Sequence, residues 1–153
     1  MNLSPENGIF DRMLIVLVSA VALLTVTTLI HYEVLRLLNA CLPQLRIPNR
    51  TKLLLVIFAS FVAHLLEMTI YGFGYFALVE YCKVGTLEGP TEFSLSNCLY
   101  FSTETYTSLG FGDIAPKGPI RILVGVEALN GLLLIGWSAS YTYLAMERFW
   151  DSK

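Results

Sequence analysis

Charge is scarce in this sequence. Only 14% of its 153 residues are Asp, Glu, Lys or Arg, whereas soluble proteins carry about a quarter. Its 10 basic and 12 acidic residues leave a net charge of -2, and there is no basic patch suited to nucleic acid. The three cysteines form no CxxC pair and show no zinc-ligand spacing. Nucleophile–base constellations and phosphate-cradling loops are lacking, so nothing supports an enzyme or an organic cofactor. No repeat, low-complexity tract or long linker interrupts the chain. The first apolar run is followed by no small-residue cleavage motif and is too long for a secretory signal.

Apolar sequence fills the space that charge leaves, at 55% of residues. Three long runs stand out, from about Met13 to Leu38, Leu53 to Val79 and Ile120 to Met146. Crossing a bilayer core takes roughly 20 mostly apolar residues, so each run qualifies as a span. The first link carries Arg36, Arg46, Arg50 and Lys52, with no acid after Glu33. The second carries Glu80, Glu88, Glu92 and Asp113 against Lys83 and Lys117. The positive-inside rule then puts the first link and the C-terminus in the cytoplasm, and the N-terminus outside. "LPQLRIPNR" (Leu42 to Arg50) reads as a short elbow, and Phe149 and Trp150 as an interfacial anchor beside Arg148. Cys82 and Cys98 fall near the outward link, where a disulfide and two free thiols are both open.

Between the second and third runs, "SLSNCLYFSTETYT" (Ser94 to Thr107) has the length of a helix but is rich in Ser and Thr. It is too short and too polar to span, and Ser94 is placed to cap it. "SLGFG" and two prolines, Pro116 and Pro119, follow. The pattern is re-entrant: a half-helix enters the membrane and extended backbone returns. Such backbone survives at membrane depth only inside protein or along a water-filled path, and several copies around an axis would enclose it. Carbonyls can line a path only if backbone handedness alternates. Left-handed positions cost L-residues about 1–2 kcal/mol each, and Gly110 and Gly112, two apart, escape that cost. Carbonyls of Ser108, Leu109, Gly110 and Phe111, with the Ser108 hydroxyl, can then replace a cation's water shell. The C-terminal end of the half-helix adds negative potential there.

"TSLGFGD" (Thr107 to Asp113) resembles the selectivity-filter signature of potassium channels, and the resemblance extends over roughly residues 53 to 147. The chain is similar to bacterial two-helix-plus-pore subunits with one extra N-terminal helix. The resemblance implies an all-α membrane protein with three transmembrane helices, a re-entrant pore helix and filter loop, and a tetrameric pore. Residues 1–50 would form the N-terminal transmembrane helix and cytoplasmic elbow. Residues 51–153 would form the pore domain: outer helix about 53–79, pore helix about 95–107, filter 108–112 and inner helix about 120–147. Ser108, Leu109, Gly110, Phe111 and Gly112 would bind the transported potassium. Tyr100, Glu104, Thr107 and Asp113 would support the filter, Glu104 and Asp113 sharing a proton, and Gly131 would be a gating hinge. Ser108 and Leu109 depart from the family's usual Thr and Val. The implied function is passive potassium conduction by a homotetramer in contact with lipid, in a bacterial inner membrane, with a regulatory partner left open. The alternatives are a nonselective or sodium-permeable cation channel and a non-conducting regulatory subunit.

The remaining polar residues in the apolar runs keep two readings each. His64 and Glu67, at i, i+3 on one helix face, are a hydrogen-bonded pair or a pH or metal sensor; two ligands alone do not make a zinc site. Glu127 lies behind the pore helix, hydrogen-bonded, or faces the cavity as a cation-attracting ring. His31 and Glu33 are expected at the interface. "YGFGYF" (Tyr71 to Phe76) repeats Gly-Phe-Gly inside an unbroken apolar run, where glycine permits close helix packing. The first run lacks arginines every third residue, so a voltage sensor is not expected. With seven residues after Met146, gating is expected to lie in the membrane portion, lipid, protons or another protein.

Overall fold

Long apolar runs, two prolines and one polar half-helix translate directly into the architecture. The computed structural model describes residues 5–89 and 92–150, and the side chains of residues 8–89 and 92–149. Helix α1 (Pro5–Cys41) ends in a 3-10 turn at Leu42–Gln44, and α2 (Asn49–Glu80) begins directly after Pro48. Pro43 and Pro48 have no N–H to continue a helix, so the elbow falls between them. Helix α3 (Leu95–Tyr106) is the short polar one, and α4 (Arg121–Trp150) closes the chain. Three helices, α1, α2 and α4, are long and apolar enough to cross a membrane. They run somewhat beyond the apolar segments seen in the sequence. The fold is an all-α membrane protein.

Ser94 caps α3: its Oγ accepts the Asn97 N–H at 3.2 Å. Two three-residue strands, β1 (Thr86–Glu88) and β2 (Ala115–Lys117), pair antiparallel with Leu87 opposite Pro116. No alternating pattern marks them in the sequence. Their pairing closes the base of the loop that carries α3, so the half-helix and its return leave and rejoin the bundle side by side.

α1 packs against both α2 and α4, while α3 sits against α2 and α4. One core cluster joins Val16 and Ala20 of α1 to Tyr71 and Tyr75 of α2, Phe101 and Tyr106 of α3, and Leu123 and Leu134 of α4. A second, at the elbow end, gathers Leu35, Leu38, Leu42, Leu53, Val56, Ala145 and Phe149. Lys52 and Arg148 both lie over the Phe149 ring there, at 5.0 and 5.5 Å. Trp150, expected as an anchor, lies outside the described side chains. Leu54, Phe58, Phe61 and Val62 of α2 point outward, as an apolar solvent allows.

The cysteines are all free: Cys82 is exposed while Cys98 is buried in α3. The free-thiol alternative therefore holds.

Candidate functional site

The segment after α3 is built by the helix end that precedes it. Ser108 N–H donates to the Thr105 carbonyl at 3.0 Å, and Leu109 N–H to the Glu104 carbonyl at 3.0 Å. Phe111 N–H donates to Glu104 Oε1 at 3.1 Å. Glu104 thus holds the loop twice, once by backbone and once by side chain, and it is itself buried. The Thr107 hydroxyl donates to the Thr103 carbonyl at 2.7 Å, finishing the helix. The Tyr100 hydroxyl lies against the Glu104 and Asp113 carboxylates. Of the four expected support residues, Glu104 bonds the loop directly, Tyr100 lies against Glu104 and Asp113, and Thr107 bonds back within α3.

Backbone handedness alternates through the loop. Ser108, Gly110 and Gly112 have φ of 56°, 56° and 78°, and Leu109 and Phe111 between them do not take positive φ. Two of the three left-handed positions are glycines, where no Cβ penalty applies. Ser108 is an L-residue in that region and carries the strain itself. With Leu109 and Phe111 N–H turned back to α3, the carbonyls of Ser108 through Phe111 receive no donor among the described residues. Ser108 through Gly112 are all exposed on the single chain, Leu109 at 60% and Phe111 at 68%. Unpaired carbonyls and exposed apolar side chains at membrane depth need something around them.

Behind the loop, three buried polar layers tie the helices together. In the first, Tyr75 OH of α2 donates to Glu127 Oε2 of α4, and Ser102 Oγ of α3 donates to Glu127 Oε1 at 2.6 Å. Glu127 is fully buried, so it lies behind α3 rather than in a cavity. In the second, Asn130 Nδ2 of α4 donates to Thr27 Oγ1 of α1 at 2.9 Å and to Tyr71 OH of α2 at 3.2 Å. In the third, His31 Nδ1 of α1 meets Glu67 Oε1 of α2 at 2.9 Å, and His64 Nδ1 meets Glu67 Oε2 at 3.2 Å. Tyr106 OH, at the end of α3, donates to Glu67 Oε2 and lies 2.9 Å from His64 Nδ1. Ser138 Oγ of α4 completes this layer, 3.1 Å from His31 Nε2.

His31 corrects the sequence expectation. It is not interfacial but has no exposed surface, because α1 packs on α2 at the level of Glu67 and a buried carboxylate draws every available donor. Glu33 does lie outside the core, paired with Arg36 at 2.6 Å. Tyr71, Tyr75, Ser102, Thr27 and Ser138 were not singled out in the sequence. A signal existed: Glu67, Tyr71 and Tyr75 recur every fourth residue and form one polar stripe on α2.

Gly131 of α4 meets the end of α3. A Cβ there would overlap the Tyr106 carbonyl, so only glycine lets α4 approach so closely. Gly110 and Gly112 differ, with nothing within 4 Å of a built Cβ; backbone freedom, not space, selects glycine there.

Known proteins bear on this arrangement. Over 74 residues the chain is 32% identical to the inward rectifier potassium channel Kirbac3.1 of Paramagnetospirillum magnetotacticum, an alignment covering 48% of this chain and 25% of that protein. The chain thus spans about a quarter of that relative's length. No solved structure matches it. A family model described as an ion channel matches residues 51–148, from the first turn of α2 through the α3 loop to the end of α4, and the chain belongs to that ion channel family.

Proposed function

We propose that this ion channel subunit conducts potassium passively, with four copies arranging their 108–112 loops around one axis. The observation that carries the reading is the alternation of handedness at Ser108, Gly110 and Gly112 directly after a half-helix that ties down the Leu109 and Phe111 N–H groups. Four such strands would present rings of carbonyls from Ser108, Leu109, Gly110 and Phe111 in place of a cation's hydration shell. The C-terminal end of α3 contributes favourable potential, and Asp113 stands at the outer mouth. The exposed Leu109 and Phe111 side chains would be covered by neighbouring copies, which answers the enclosure that membrane-depth backbone requires. Potassium is the transported ion and binds at these backbone oxygens. The 32% identity to an inward rectifier potassium channel, over 48% of this chain, supports potassium as the ion.

The loop bases face outward in this reading, and the elbow with Arg46 and Arg50 faces the cytoplasm of a bacterial inner membrane. Gly131 acts as a hinge whose motion is felt at once by the pore helix, since it abuts the Tyr106 carbonyl. A nonselective filter is the second reading, favoured by one feature: Ser108 and Leu109 lack the β-branching that stiffens a backbone at χ1.

Purified wild-type protein in liposomes should pass potassium, and Gly110→Ala should abolish the flux. Equal flux in both would overturn the filter assignment. Bi-ionic potentials separate the two readings: reversal near zero between potassium and sodium would establish the nonselective one.

A further inference from the structure

We propose that His31, His64 and Glu67 form a binding site for a zinc-class divalent metal ion at the junction of all four helices. Neither the ion channel family match nor the loop chemistry calls for such a site. Its residues come from two helices: His31 from α1, and His64 and Glu67 one turn apart on α2. Their ligand atoms all lie within 4.8 Å of one another. Two imidazoles and a carboxylate are a donor set that zinc takes, at about 2.0–2.1 Å. Ligands in a tetrahedral shell of that radius stand roughly 3.3 Å apart. The two His–Glu separations are 2.9 Å to Oε1 and 3.2 Å to Oε2, so the carboxylate already stands at ligand spacing from each imidazole, and side-chain rotation within the 4.8 Å cluster would close the shell.

The surroundings match a metal site beyond its ligands. A ligating histidine characteristically has its second nitrogen held by a fixed partner. His31 Nε2 lies 3.1 Å from Ser138 Oγ, which turns Nδ1 toward the cluster. The Tyr106 hydroxyl touches both His64 Nδ1 and the Glu67 carboxylate, a polar oxygen beside two of the three ligands. Charge points the same way. The Glu67 carboxylate is held beside His31 where neither side chain has exposed surface. Intramembrane carboxylates are costly without a cation partner, and a divalent ion supplies one. His64, at 13% side-chain exposure, is the point of access. An ion here would clamp the N-terminal helix to α2 and reach the filter through Tyr106, two positions before Ser108. That gives α1 a task.

The competing possibility is a hydrogen-bonded clasp that binds no ion. Chelator-stripped full-length protein, without a histidine tag, would be titrated with Zn2+ and separately with Co2+. The expected result is one ion per chain, visible Co2+ absorption of a four-coordinate site, and a raised melting temperature with Zn2+. Ser138→Ala should weaken binding by about 10-fold, the scale of losing a partner behind a ligand. His31→Gln keeps an amide donor toward Glu67, so the fold should persist while Co2+ absorption is lost. No binding at one ion per chain, or unchanged binding in His31→Gln, would overturn the site. Binding is read apart from conduction, so failure of the potassium reading leaves this site standing, and the reverse.

Discussion

Gly72-Phe73-Gly74 and Gly110-Phe111-Gly112 are the same three residues used for opposite properties of glycine. In α2 the backbone is an ordinary helix, and what matters is the missing side chain. A Cβ on Gly72 would sit 2.7 Å from Leu99 Cδ2 and 3.0 Å from Leu99 Cα, and one on Gly74 would sit 2.8 Å from Leu23 Cδ1. The first glycine seats α3 against α2, and the second seats α1. In the loop there is open space around both glycines, and what matters is φ of 56° and 78°. One pair trades volume for contact; the other trades chirality for a backbone of alternating handedness. Identical letters therefore predict different failures.

The largest expected effect breaks the loop side of this comparison. Gly110→Ala meets no atom, so the change acts on the backbone alone, at about 1–2 kcal/mol per chain. Four such costs would fall on one proposed pore. Potassium flux should vanish while the melting temperature of the solubilised protein moves little. A variant that conducts normally would show that the left-handed position is dispensable. Gly72→Ala is the mirror case. The Leu99 side chain can swing aside but the Leu99 Cα cannot, so the seam between α2 and α3 should lose about 1–3 kcal/mol, the usual range for overpacking. Lower thermal stability with a filter that still selects is the expected outcome. Thermal melting and reversal potential measured on the same preparation decide it.

Glu104 lets the loop side be sharpened without touching glycine. Glu104→Ala leaves the Phe111 N–H without its acceptor, a loss of about 0.5–1.5 kcal/mol per chain, the usual net worth of a hydrogen bond. Glu104→Gln keeps an amide oxygen in the same place. Flux should fall in the alanine variant and largely persist in the glutamine one. Equal loss in both would mean that the charge of Glu104, not its hydrogen bond, supports the loop.

Legibility in the sequence follows the same division. The three spanning helices and the capped half-helix are local facts of composition, so Ser94, the apolar runs and the prolines announce them. The alternation at Gly110 and Gly112 is also local, because glycine marks where φ can turn positive. Ser108 is not announced: nothing about a serine reveals φ of 56°. The strand pair β1–β2 was hidden because three residues with Pro116 among them carry no strand pattern. The polar layers were half visible. Glu127 offered two placements that only Tyr75 and Ser102 could decide. His31 read as interfacial because its partner, Glu67, lies on another helix 36 positions away, and helix pairing is not written in either segment alone.

Gly74→Ala should have the smallest effect, and for that reason it tests the volume argument most finely. Its new methyl would press only on the Leu23 side chain, whose Cγ is already at 3.7 Å, and no backbone atom is among the nearest contacts. Moving a leucine off its preferred rotamer costs about 0.5–1.5 kcal/mol. Alanine in a helix interior gains about 1 kcal/mol over glycine, so the two nearly cancel. Melting temperature and flux should both stay close to wild type. If Gly74→Ala instead destabilised the protein as much as Gly72→Ala, Leu23 would have to be locked in place. The N-terminal helix would then be packed against α2 as rigidly as the half-helix is, and α1 would be a structural wall of the pore domain rather than an addition to it.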